Sequence, residues 1–304
     1  MATTISQLII LFSFILCGAL IGRLKRISIE KSNILSILLV NILLPSKIFL
    51  NFSKQCTLPY LKKNYPTLLI STGILLLLVL FSLLLSKILT KDAYERRVYR
   101  YSFAISNYAY LGYVFVEAVL GEQALTDMIL FCSPFAFYTY SFGYTLLTAK
   151  NGFFKRLFNP MVISLALGML FGIFGISLPS FFVTALGYAS GCVGPISMIL
   201  TGIVIASFSL KDLLPNTKTV IFSSIRLIVI PAFLWLVCTC LELLGILPTA
   251  VFPAAAIMGC MPCGLNTIVF PLLVGKDCRT GARFVLLSHV LCMLTVPLWL
   301  WILL

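Results

Sequence analysis

Residues 249–274, TAVFPAAAIMGCMPCGLNTIVFPLLV, contain no charged side chain. A helix needs roughly 20 apolar residues to cross a bilayer, so the stretch is long enough to span one. In its middle stands Met261-Pro-Cys-Gly-Leu-Asn266, with Pro271 beyond. Proline removes a backbone donor and glycine weakens a helix. Backbone groups freed in this way are tolerated at bilayer depth only where they line a cavity or find partners. The stretch 99–120 is interrupted in the same manner by Asn107-Tyr-Ala-Tyr-Leu-Gly112. A glycine follows each, Gly121 after the first and Gly275 after the second. Two readings stay open from these local features. Either two kinked helices pack on their neighbours, or both helices unwind and cross. In the second case the half-helix N-termini turn their positive dipole ends to the midplane, a place for a carboxylate.

The rest of the chain supports a membrane reading. Of 304 residues, 61% are hydrophobic and 10% charged, and mean hydropathy is +1.09, which excludes an ordinary soluble domain. Apolar runs between charged and turn-forming clusters give ten candidate helices near 5–22, 34–52, 67–89, 99–120, 126–148, 160–176, 183–208, 219–243, 249–274 and 283–303. Alternating ten-residue strands of an outer-membrane barrel are absent. The fold class expected is therefore an all-α polytopic membrane protein.

The net charge of +13 would suggest nucleic acid in a soluble protein, but here the basic residues flank the apolar runs. Of the 22 basic residues, 17 fall in alternate loops that share one side, among them Arg23, Lys25, Arg26, Lys91, Lys150, Lys155 and Arg156. The opposite loops hold only Lys54, Lys62 and Lys63, while Lys47 and Arg226 lie within spans. The positive-inside rule then predicts both termini outside, in a cell (plasma or inner) membrane. The first run is followed, not preceded, by basic residues, so it reads as a retained span and not as a secretory signal.

Five candidate spans precede the segment Lys150–Arg156 and five follow it, so the chain divides into residues 1–149 and 150–304. Gly18 and Gly168, Gly22 and Gly172, and Pro45 and Pro195 stand 150 residues apart. The glycine pairs form G-x-x-x-G spacings, which let helices approach closely in lipid. An odd number of spans per half places the halves upside down relative to each other, the inverted-repeat arrangement of secondary transporters.

These residues resemble the auxin efflux carrier family, which includes the plant PIN-formed carriers and bacterial permeases. The resemblance runs through Asn41-Ile-Leu-Leu-Pro45, Asn107 to Gly112 with Gly121-Glu122, Asn159-Pro160 with Gly194-Pro195, Met261-Pro262 with Asn266 and Gly275-Lys-Asp277, and Ser288 with Pro297. It covers essentially the whole chain through many short motifs. It implies two inverted five-helix repeats with broken, crossing helices 4 and 9, a fold shared with bile-acid sodium symporters. Helices 1, 2, 6 and 7 would form a scaffold and a homodimer surface, and helices 3–5 and 8–10 a mobile transport domain. The function implied is elevator-type secondary transport of a small organic anion, with a channel or a transport-dead receptor as the alternative. Substrate-binding positions carried over are Asn107, Gly112, Pro262 and Asn266, with Tyr108 and Cys263 beside them. Val114 stands where the family commonly has proline, so the first crossover is expected to differ in shape.

Charges at bilayer depth cost roughly 2.5–3.5 kcal/mol and each needs a reason. Lys47 either snorkels to the nearer interface or meets a substrate anion. Glu117 either reaches the interface or couples a cation or proton. Arg226 pairs with a carboxylate, caps broken backbone or contacts substrate. His289, the only histidine, is a hydrogen-bonded packing residue or a proton-coupling group. Asn51 is expected to be a neutral position. Cys260 and Cys263 form an isolated C-x-x-C without the further ligands of a zinc or redox site, so no metal or cofactor is expected beyond a proton or sodium as coupling ion. With nine acids and one histidine the chain lacks an enzyme's clustered groups, and no P-loop for ATP occurs. The partners expected are the organic anion, membrane lipid and a second copy, with no nucleic acid.

Overall fold

The computed structural model describes residues 2–24, 27, 29–149, 158–209, 211, 214, 216–246 and 251–303. Lys25, Arg26, the Lys150–Arg156 segment joining the halves, and residues 249 and 250 of the ninth candidate span lie outside the described residues.

The described residues are helical. They form α1 (Ala2–Arg23), α2 (Lys31–Gln55), α3 (Leu58–Asn64), α4 (Pro66–Leu89), α5 (Ala93–Ala104), α6 (Tyr108–Leu120) and α7 (Glu122–Tyr138). The last runs on through a π turn, Thr139–Gly143, into Tyr144–Thr148. Then follow α8 (Pro160–Phe174), α9 (Ser180–Ala206), α10 (Thr217–Leu243), α11 (Val251–Cys260), α12 (Asn266–Leu273) and α13 (Arg279–Leu303). No strand occurs among the described residues, only one isolated β-bridge. Among the described residues six helices, α1, α2, α4, α9, α10 and α13, are long and apolar enough to cross a membrane. Large apolar side chains such as Leu16, Ile88, Leu243 and Trp301 are exposed on them, as lipid rather than water would allow.

Helix ends follow local chemistry. Thr57, Asp92, Asn159 and Asn216 accept backbone N–H groups at the starts of α3, α5, α8 and α10. Gly121 and Gly275 take left-handed φ values of 88° and 67° at the two exits read from the sequence. Buried hydroxyls return to their own helices, as Ser102 does to Val98 O and Thr201 to Ser197 O.

The two G-x-x-x-G segments lie at helix seams. α1 packs along the second half of α9, and α8 along the second half of α2. A Cβ added to Gly18 would sit 2.1 Å from the Ile199 carbonyl oxygen, and one added to Gly202 2.0 Å from that of Ile15. In the other seam Gly168 faces Phe49 and Phe52, and a Cβ on Gly172 would meet the carbonyl oxygens of Phe52 and Cys56 at 2.5 Å. The partners keep the glycines' own spacing. Gly18 meets Ile199 as Gly168 meets Phe49, and Gly22 meets Ala206 as Gly172 meets Cys56, each pair related by 150 residues. Backbone approach this close leaves no room for a side chain.

Candidate functional site: two broken helices that meet

The first break falls at residues 105–107, slightly before the segment that the sequence singles out. Ile105 is extended, with φ −118° and ψ 120°. The carbonyl of Asn107 then accepts both Leu111 N–H at 3.3 Å and Gly112 N–H at 3.0 Å, so the chain re-enters helix through a π turn, Tyr108–Gly112. Gly112 keeps this turn against the opposite break, since a Cβ there would lie 2.8 Å from Met128 and 3.3 Å from Met261. The second break spans Met261 to Leu265, between α11 and α12. Pro262 cannot donate and disfavours helix in Met261 before it.

The breaks meet directly. Asn107 N–H donates to Pro262 O at 2.8 Å, and Ser106 and Cys263 form an antiparallel bridge. Gly264 makes the approach feasible, because a Cβ there would stand 3.2 Å from Ser106 O. Cys263 N–H donates to Ser288 Oγ at 3.0 Å, while Ser288 donates onward to Phe284 O.

Arg226 accounts for most of the remaining freed carbonyls. Its side chain is fully buried and donates to Phe103 O at 3.3 Å, Met261 O at 3.2 Å, Gly259 O at 3.3 Å and Met258 O at 3.4 Å. Phe103 lies at the C-terminal end of α5 and the others at that of α11. Each helix C-terminus carries roughly half a negative charge, so two of them amount to about one, which a single guanidinium neutralises. Of the three roles open to Arg226 in the sequence, the structure takes backbone capping. Its π turn, Ile225–Val229, is braced by Trp299, which donates to Leu227 O at 2.8 Å.

The N-terminal ends of α6 and α12 carry the opposite partial charge, and the amides of Asn107 and Asn266 stand there. Asn107 is 1% exposed, and its Nδ2 lies 3.0 Å from His289 Nε2. Asn266 Oδ1 accepts from Tyr110 OH at 2.9 Å. The hydroxyls of Tyr101 and Tyr140 lie beside the Asn266 amide without a hydrogen bond of good geometry, and Ser106 Oγ and Asn107 Oδ1 also lack partners. Phe270 is ringed by Tyr101, Tyr140 and Tyr144 at 6.4, 5.8 and 5.0 Å between ring centroids. Tyr108 turns away to Thr139 Oγ1 at 3.5 Å, and the Cys263 thiol rests 3.8 Å from Thr267 Oγ1.

Asn107, Gly112, Pro262, Cys263, Asn266, Arg226 and His289 are thus gathered at one crossing. Lys47 and Glu117 form a second cluster, an ion pair between α2 and α6. Lys47 is 3% exposed, so it does not snorkel; its carboxylate partner and Ser190 Oγ at 3.5 Å replace the interface. Asn51 on the same helix donates to Glu122 O at 3.3 Å and is buried, so it bridges two elements. Sequence reading missed Tyr101 and Tyr140 and gave Tyr110 and Ser288, though both stand in the quoted motifs, no role at the site. The available signal was the run of tyrosines through 99–113, since a buried tyrosine needs a partner for its hydroxyl.

A lipid-exposed helical chain whose broken helices meet in a buried polar knot is an integral membrane protein with the internal build of a transporter. Comparison with known proteins agrees. The family model described as "Membrane transport protein" matches residues 3–154 and 149–300, and the chain belongs to that family, the one to which the auxin efflux carrier resemblance points. An uncharacterized transporter of Methanocaldococcus jannaschii is 25% identical over 293 residues, covering 90% of this chain and 91% of the relative. An uncharacterized transporter of Methanothermobacter thermautotrophicus is 24% identical over 202 residues, 64% of each chain.

Proposed function

We propose that the protein is a secondary transporter that moves a small organic anion across a cell membrane by elevator-type alternating access. The observation that carries this reading is the asymmetry of the crossing. Both half-helix C-termini are neutralised by Arg226, whereas both N-termini keep their positive ends beside the Asn107 and Asn266 amides. A carboxylate is the ligand this leaves room for electrostatically.

In this reading the chain comprises ten spans in two inverted repeats, 1–149 and 150–304. The glycine seams with partners 150 residues apart support it. Helices 1, 2, 6 and 7 of the ten would be the static part and the broken helices would travel with the rest. The ion pair Lys47–Glu117 then joins a static helix to a moving one and must open during the cycle. Both termini lie outside, on the strength of the basic-residue count, and a second copy docks through the scaffold. No catalytic residue, metal or cofactor belongs to this mechanism.

The test is binding and transport in proteoliposomes with malonate, malate and indole-3-acetate as probes, with and without sodium. Wild type should bind or move at least one carboxylate, and Asn107→Ala and Asn266→Ala should weaken that binding. Normal transport by both variants at wild-type affinity would make the crossing purely structural. Orientation is checked separately: a cysteine at Lys62 should label from outside and one at Lys91 should not.

A further inference from the structure

Histidine occurs once in this chain, at 289, and the structure puts it against Asn107. His289 Nδ1 lies 2.8 Å from the carbonyl oxygen of Val285, one turn back along α13. A carbonyl can only accept, so Nδ1 carries the hydrogen. In the neutral ring Nε2 is then an acceptor, and Asn107 Nδ2 donates to it across 3.0 Å. The backbone carbonyl thereby fixes the orientation of the asparagine amide. Its NH₂ faces the histidine and its Oδ1 faces away, buried and without a partner.

That orientation suits an empty site and opposes an anion. Asn107 Oδ1 and the neighbouring Ser106 Oγ are both unpaired, as are the Tyr101 and Tyr140 hydroxyls, and a carboxylate beside Oδ1 meets an acceptor instead of a donor. A proton on Nε2 reverses the arrangement. Nε2–H now needs an acceptor, so the amide turns over and gives it Oδ1. The NH₂ swings to where Oδ1 had been and becomes a donor into the crossing. One proton thus supplies a positive charge and converts the site-facing atom from acceptor to donor. A lone imidazolium in so buried a place is expensive, and a carboxylate beside it offsets that expense, so proton and anion favour each other's entry.

The surroundings leave His289 as the group that can do this. Among the described residues no carboxylate is buried, and Arg226 is the buried charge on the helices packed against α13, already committed to four carbonyls. The other buried titratable groups on α13 and these elements, Tyr99 and Tyr101 of α5, Cys238 of α10, Cys260 of α11, Cys263 of the second break and Cys292 of α13 itself, are neutral acids near pH 7.

We propose that His289 couples transport to protons. One proton from water joins Nε2, the turned Asn107 amide receives the carboxylate, and both leave together on the other side. The N–H forms as an O–H of hydronium breaks and leaves water, and on the other side the N–H breaks as its proton returns to water. This rests on the carboxylate reading of the crossing.

The single histidine makes the test direct. Protein with ¹⁵N-labelled histidine in nanodiscs should show the Nδ1–H neutral tautomer at pH 8. Adding malonate or indole-3-acetate, whichever binds, should convert it to imidazolium at a higher pH than in the free protein. Reciprocally, probe affinity should tighten by up to about tenfold per pH unit lowered, the limit for one linked proton. In His289→Gln the side-chain carbonyl accepts from Asn107 as the neutral ring does, so probe binding should stay weak and pH-independent. An Nε2–H tautomer at pH 8, a neutral histidine beside a bound probe, or unchanged pH dependence in His289→Gln would overturn the coupling and leave the carboxylate site standing. So would binding that follows sodium and ignores pH. If no carboxylate probe binds at any pH, the site reading fails and the coupling falls with it.

Discussion

The glycine seams and the crossing solve one problem in opposite ways. In both, backbones come close together inside an apolar molecule, at the seams so close that a Cβ on Gly18 or Gly202 would stand 2.1 or 2.0 Å from a facing carbonyl oxygen. At the α1–α9 and α2–α8 seams every backbone group stays inside its own helix, and closeness is achieved by removing side chains at Gly18, Gly202, Gly168 and Gly172. At the crossing the helices are open, and closeness is sustained by one backbone bond, Asn107 N–H to Pro262 O, and by added side chains: Arg226 for four carbonyls and Ser288 for Cys263 N–H. A seam of intact helices can be rigid and passive. An opened pair must have its polar groups satisfied, and whatever satisfies them sets what the opening can bind.

The comparison breaks most sharply at Arg226. Arg226→Met leaves four buried carbonyls without their donor, at about 1–3 kcal/mol each, so stability should fall by on the order of 4–12 kcal/mol. Loss of the monodisperse peak and of cooperative melting would be the readout. Arg226→Lys should rescue it only in part, because an ammonium cannot fork between both half-helices. A variant that melts like wild type would refute the capping role.

The seam should respond next. Gly202→Leu and Gly172→Leu push a side chain into carbonyl oxygens 2.0 and 2.5 Å from the Cβ position, and overpacking of this kind costs about 1–3 kcal/mol, here toward the upper end. Gly73→Leu, where nothing lies within 4 Å, should be silent in the same melting assay. Equal effects at Gly73 and Gly202 would dissolve the seam argument.

At the asparagines the two regions should separate by function. Asn107→Ala and Asn266→Ala should weaken carboxylate binding by roughly ten- to a hundredfold, the worth of one hydrogen bond to a charged group, while stability falls by only about 1–3 kcal/mol for the one buried partner each leaves unpaired, His289 or the Tyr110 hydroxyl. Isothermal titration with the probe anion checks this.

The smallest effect is expected at the ion pair. Glu117 is 37% exposed, so a double-mutant cycle over Lys47→Met and Glu117→Gln should give a coupling below about 1 kcal/mol. Its larger consequence should be kinetic, as a changed transport rate at unchanged probe affinity, if the pair opens in each cycle.

Much of this was legible before any coordinates. The apolar runs located most of the described helices to within a few residues, because hydrophobic length in a bilayer is a one-dimensional property, although α5 begins six residues before the run 99–120 and the short α3 was not read. Met261-Pro-Cys-Gly-Leu-Asn266 marked the second break through its lost donor and its glycine. The first break was placed slightly too late, at Asn107–Gly112, because no proline marks it; Ile105 N–H still bonds back to Tyr101 O as the residue turns extended, and Asn107 N–H is taken by Pro262 O across the crossing. Lys47 looked like a snorkelling lysine because its distance to the helix end can be counted, whereas Glu117, 70 residues on, cannot be seen as its partner. The bond from Asn51 to Glu122 O was hidden for the same reason.

Sequence alone determined the membrane class, the helix positions, the glycines that must be small and the second broken segment. Each depends on composition, period or the covalent geometry of a single residue. Tertiary structure alone decided which polar groups satisfy which: Arg226 spanning the ends of α5 and α11, His289 fixing the amide of Asn107, and Lys47 paired with Glu117. In a low-dielectric interior a polar group is defined by its partner, and these partners lie from 32 to 182 residues away along the chain.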